Sequence, residues 1–93
     1  MSQSKWVRVG SVRRFDRIEP DKEHALKVLE EASEVHGAWQ RYGAEDWKDV
    51  LLDECADVIQ ATLNLVAALG VEDFRPYLRA CEKRNRKRGR ITK

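Results

Sequence analysis

Between residues 21 and 41, Ala25, Val28, Ala32, Val35 and Trp39 recur three and four positions apart. That is the repeat of a helix with one apolar stripe. Pro20 and Asp21 mark its start, because Asp caps a helix well and acids suit the first turn. The stretch QRYGA at 40–44 breaks the pattern, with Gly43 as the expected stop. A second helix is expected over 45–69, with Leu51, Cys55, Val58, Ile59, Thr62, Leu65, Val66 and Leu69 as its stripe and Gly70 as its C-terminal signal. A third begins near 72 or 73. Pro76 then falls in the first turn, where a missing N–H costs little, and Phe74, Leu78 and Cys81 supply an inner face. Residues 5–15, KWVRVGSVRRF, alternate partially and read as an extended arm or a short strand. The expected fold is all-α. A small antiparallel helical domain at 19–88 forms a four-helix-type bundle completed by oligomerisation, flanked by a basic arm at 1–18 and a basic tail at 89–93.

The polar positions are less uniform than those of an ordinary solvated face. On the wheel of the first helix, Glu31 lies about 40° from Val35 at the border of the stripe, and Glu34 about 60° to the other side of Glu31. Glu30 points nearly opposite. The second helix repeats the arrangement, with Glu54 between Val58 and Ala61 and Asp57 a little further round. Asp53 faces away with Gln60. Two E-x-x-[DE] pairs on consecutive antiparallel helices would bring four carboxylates together. Such a group is tolerable with a cation present, or with some of the acids protonated. Oxygen donors without His or Cys select Mg²⁺ or Mn²⁺ over zinc. The absence of a helical E-x-x-H speaks against a di-iron bundle. Taken singly, either pair would read as a wet helix face.

Charge sharpens this picture. The net charge of +2 conceals an acidic body with fifteen acids and six Lys/Arg at 19–82. The first eighteen residues carry five Lys/Arg against one Asp, and the last eleven carry seven bases and no acid. That distribution does not form a uniform nucleic-acid surface; it suits a central cation site with basic groups nearby for an anionic ligand. Charged residues make up 37% of the chain, which fits helices with wet outer faces. No apolar run approaches the ~20 residues of a membrane span, and the start MSQSKWVRVG has no apolar signal core, so a cytoplasmic protein is expected. Cys55 and Cys81 lack metal-ligand or disulfide spacing and read as free thiols.

The segments KVLEEASEV and LLDECADVIQATLNLVAALGV, with Glu30-Glu31-Ala32-Ser33-Glu34 followed after nineteen intervening residues by Glu54-Cys55-Ala56-Asp57, resemble the EExxE…ExxD signature of the MazG-like all-α nucleoside triphosphate pyrophosphohydrolases. The resemblance covers residues 22–90, and the tail NRKRGRI is similar to the basic segment that often closes small members. It implies hydrolysis of a (deoxy)nucleoside triphosphate to the monophosphate and pyrophosphate, as nucleotide-pool house-cleaning. It implies that Glu31, Glu34, Glu54 and Asp57 hold Mg²⁺, which screens the phosphates and activates water for attack at the α-phosphorus. Glu31 or Glu34 would take the water's proton. Small relatives of this kind are commonly dimers or tetramers, so a homo-oligomer is expected. The arm has no counterpart in the resemblance.

Other residues carry two readings each. Lys83, Asn85, Lys87 and Arg88 would grip phosphate oxygens or form a solvated basic tail. Asn64, two turns beyond Asp57, would contact the nucleoside or a metal-bound water, or make an interhelical hydrogen bond. Trp39, with Tyr42 and Trp47, would stack on a base or pack internally. Glu30 supports the site or is simply solvated. His24 and His36 are expected on the surface. Two rival classes remain: a nucleic-acid-binding module using the basic ends, against which the acidic body counts, and a non-catalytic interaction protein.

Overall fold

The structure, a computed structural model, describes residues 4–92. It contains three helices, α1 (Lys22–Trp39), α2 (Trp47–Ala68) and α3 (Arg75–Lys87). No strand occurs among the described residues, so the stretch at 5–15 is an extended arm. Of the sequence-assigned arm and tail, residues 1–3 and residue 93 lie outside the described part. None of the three helices is long and apolar enough to cross a membrane.

Asp21 caps α1 as its position suggests, its carboxylate accepting the His24 N–H at 3.1 Å. At the other end α1 stops at Trp39, short of Gly43. There the backbone tightens: Gln40, Arg41 and Tyr42 N–H donate to the carbonyls of Gly37, Ala38 and Trp39. These i to i−3 bonds carry the chain out of the α-helix before the glycine is reached. Gly70 ends α2 with φ +83°. Its N–H donates to the Ala67 carbonyl at 2.9 Å, and the Val71 N–H to the Val66 carbonyl at 3.3 Å. This six-residue closure needs a left-handed residue, and glycine adopts it without a Cβ clash.

The core is the seam between α1 and α2. On α1 the covered positions are His24, Val28, Glu31, Val35 and Ala38. On α2 the corresponding line is Leu51, Glu54, Val58, Ala61 and Leu65. Both lines alternate steps of three and four, the geometry of a two-helix seam. The stripe expected on α1 is broader than this. Ala25, Ala32 and Trp39 are exposed, because a single neighbouring helix covers only a narrow line of α1. Ala38 and Ala61 are the buried apolar residues among those described, and no large side chain is fully buried.

The third helix packs against neither α1 nor α2. Leu78, expected on its inner face, is accordingly exposed. Its start is instead tied locally, with Asp73 accepting from Arg75 N, Nε and Nη2 at 3.1, 2.9 and 2.9 Å. The N-terminal arm does reach the helices. Asn64 Oδ1 accepts the Phe15 N–H at 2.9 Å, and Gln60 Nε2 donates to the Arg13 carbonyl at 3.0 Å.

Candidate metal centre

Two of the acids identified from spacing sit inside the seam itself. Glu31 and Glu54 occupy line positions where a two-helix interface ordinarily places an aliphatic side chain. The wheel set Glu31 at the border of the apolar stripe; its side chain is only 12% exposed. Asp57, one turn beyond Glu54, is exposed, and one carboxylate oxygen from each of Glu31, Glu54 and Asp57 lies within 4.8 Å of the others. The fourth acid, Glu34, stands outside this group of three but close enough to feel it. The Glu34 carboxyl is held above the usual carboxylate range, first by the negative charge of Glu31 and then by a hydrogen bond with Glu54 and partial desolvation. Glu30 faces solvent, as its wheel position requires, with 65% of its side chain exposed.

The donor set fits a hard divalent cation. Octahedral Mg²⁺, with ligands at about 2.0–2.1 Å, places its oxygens roughly 3–4 Å apart, a spacing these carboxylates reach with small side-chain adjustments. Glu54 Oε2 is buried and accepts from no N–H or hydroxyl group among the described residues. An unpaired buried carboxylate oxygen is costly in water-poor surroundings, and a bound cation would remove that cost. Cys55 is a half-exposed free thiol and takes no place in the cluster.

Lys27 is a participant that spacing alone passed over. Its Nζ lies 3.1 Å from Glu31 Oε1 and 3.6 Å from Glu30 Oε2. Glu31 foremost, through its hydrogen bond and its charge, raises the ammonium's affinity for its proton. The signal was present, since Lys27 is one helical turn before Glu31. It gains meaning only once Glu31 is known to belong to the cluster.

The remaining candidates divide by location. Asn64 is buried at 5% exposure. Its Oδ1 accepts from Phe15 N–H and from Gln60 Nε2 at 3.0 Å, so its hydrogen bonds run to the arm and along α2, not across to α1. Gln60, which the wheel turned away from the core, is the arm's second anchor. Trp39 lies towards the opposite end of α1, half exposed, within a cluster of aromatic rings. Its ring centroid is 5.2 Å from that of Trp47 and 5.6 Å from that of Tyr42. Lys83, Lys87 and Arg88 are exposed on α3 and its cap, and α3 packs on neither helix of the cluster. Asn85 is engaged locally: Nδ2 donates to the Cys81 carbonyl at 3.0 Å, and Oδ1 accepts from Arg90 Nη1 at 3.2 Å.

Comparison of the chain with protein-family models, with curated proteins and with solved structures finds no match.

Proposed function

We propose that this chain is an Mg²⁺-dependent (deoxy)nucleoside triphosphate pyrophosphohydrolase of the MazG-like kind, acting in the cytoplasmic nucleotide pool. The observation that carries the reading is the meeting of the EExxE and ExxD acids in one seam, with Glu54 Oε2 buried and unpartnered. Glu31, Glu54 and Asp57 would hold the cation, with Glu34 beside them. The cation, Mg²⁺ or Mn²⁺, would supply charge neutralisation at the phosphates and a water of lowered pKa. Glu34, beside the proposed ligands, would take that water's proton. Glu31, though paired with Lys27, is the other carboxylate within reach of that role.

The assembly belongs to the same reading. Leu26, Leu29, Leu52, Ile59, Leu69 and Leu78 are all exposed large apolar side chains on or beside the helices. Two packed helices leave half of each helix uncovered, and a second pair would complete a four-helix bundle. A homotetramer or homodimer is therefore expected. Full activity in a monomeric species on size-exclusion chromatography would refute this part.

The reaction is tested with a panel of nucleoside and deoxynucleoside triphosphates, with and without Mg²⁺, scored for pyrophosphate against orthophosphate. Mg²⁺-dependent pyrophosphate release is expected. Orthophosphate as the sole product would refute the bond assignment, and no turnover on any nucleotide would refute the enzyme reading.

A further inference from the structure

A cavity of about 300 Å³ opens where the arm meets the helical pair, lined by Phe15, His24, Lys27, Ala61 and Asn64 together with the carboxylates Glu23 and Glu30. Its size is at the lower end of small-molecule sites. It adjoins the acid cluster through Lys27, which contributes to its wall and pairs with Glu31. The helical rise places Lys27 about 6 Å along α1 from Glu31, and Ala61 and Asn64 about 6 Å and 10 Å along α2 from Asp57. Because the helices run antiparallel, all three displacements point the same way. The cavity therefore continues the cluster in one direction, towards the docked arm.

Its wall is chemically mixed. Phe15 brings an aromatic ring that is 59% exposed. Ala61 contributes a methyl group. Asn64 contributes a buried amide whose orientation is set by what it accepts: the Phe15 N–H can only donate, so Oδ1 must face the arm. The Asn64 Nδ2 is left without a hydrogen-bond partner among the described residues. This donor is open to water and not sealed, so it is free to meet a ligand that enters the cavity. His24 Nδ1 is held at 3.1 Å by the Asp21 carboxylate, which leaves Nε2 as the ring's remaining polar atom.

We infer that this cavity receives the nucleoside portion of the substrate, with Phe15 of the N-terminal arm as the wall on which the base stacks and Asn64 Nδ2 as a donor to a base or sugar oxygen or nitrogen. The inference rests on the proposed nucleotide substrate and names the part of it that this site takes. It gives the arm a role: hydrogen bonds from Phe15 N to Asn64 and from Gln60 to Arg13 build one side of the pocket. It also places the nucleoside at the Asn64 end of the seam, away from the ring cluster around Trp39. Lys27, between the pocket and the cluster, is positioned to meet the phosphate nearest the sugar once a cation competes for Glu31.

The test uses the full chain and a deoxynucleoside 5′-monophosphate in chelator, followed by ¹⁵N NMR. The expected result is saturable shifts of the Asn64 side-chain amide and the Phe15 backbone amide, which inorganic phosphate alone does not reproduce. Phe15→Ala should weaken the monophosphate by about ten-fold, the scale of one lost base–aromatic stack. Asn64→Asp keeps the acceptor for the arm and removes the donor; it should weaken binding while the Gln60 side-chain amide shift stays in place. Shifts confined to the Trp39 and Trp47 indoles, or unchanged affinity in both variants, would overturn the assignment. The outcome is separable from the reaction. Turnover with indole shifts sinks the pocket and spares the hydrolase, whereas Asn64 shifts without turnover on any nucleotide spare the pocket and sink the hydrolase.

Discussion

Glu54 sits in a line of side chains that α2 presents to α1, yet one of its oxygens has no partner. Replacing it by Gln keeps the volume and removes the charge. Glu54→Gln should lower divalent-cation affinity by at least about 100-fold, since even outer supporting groups of metal sites cost 10–100-fold when lost. Mn²⁺ binding followed by electron paramagnetic resonance measures it, and retained wild-type affinity would remove Glu54 from the site. Glu34 predicts a pH effect of definite sign. Its carboxyl titrates above the ordinary 4.5, so the folded protein holds a proton that the unfolded chain has already released. Stability of the cation-free protein should therefore fall as pH rises from about 4.5 through the raised value. The change will be modest because Glu34 is exposed. Thermal melts across that range in chelator should show it, and Glu34→Gln should flatten it. The four acids were legible because two i, i+3 pairs at the edge of apolar stripes are visible in the letters. The degree of their burial was not: whether Glu31 borders the seam or lies within it depends on how α2 seats against α1, which no wheel contains.

Elements α1 and α2 owe their close approach to small residues at the seam. Ala38 and Ala61 are the buried apolar positions, so Ala38→Leu would overfill the line and should cost about 1–3 kcal/mol in chemical denaturation. A stability equal to wild type would mean that the seam is looser than its burial implies. The third helix depends on local chemistry instead. The Arg75 guanidinium and backbone N–H hold the Asp73 carboxyl down to about 2 from the ordinary 3.8. With the folded value depressed, the contribution is complete above the unfolded value and is lost as pH falls through about 2. The α3 amide signals in NMR should therefore lose helical character across that acid window, and Asp73→Asn should lose part of it already at neutral pH. Helix existence was readable throughout from periodicity, Pro76 and Gly70. The place of α3 was not, because its apolar residues say that it wants a neighbour without saying which. The arm's docking was equally hidden, since Asn64 and Phe15 are 49 positions apart and nothing local joins them.

At the scale of the molecule, the proposed assembly would cover the apolar surface left outside the seam with a second copy. Light scattering should give a mass two or four times the 10.8 kDa of one chain. Leu29→Lys, at a side chain 66% exposed in the single chain, should lower that mass while leaving helix content unchanged, because Leu29 touches little within its own chain. An unchanged mass would direct the search for the interface to another face. The charge partition visible in the letters reappears here in part: Glu31, Glu54 and Asp57 gather at the α1–α2 seam, while the basic arm and α3 lie outside it. The arm's attachment has a further consequence. It rests on α2 through two long-range hydrogen bonds, without a sheet to lock it, so its docked state competes with a released one in which Arg13 and Arg14 meet a protease freely. A ligand seated between the arm and the helices would favour the docked state by mass action. Trypsin cleavage at those arginines should then slow in proportion to occupancy, and the arm would serve as a built-in gauge of how full the pocket is.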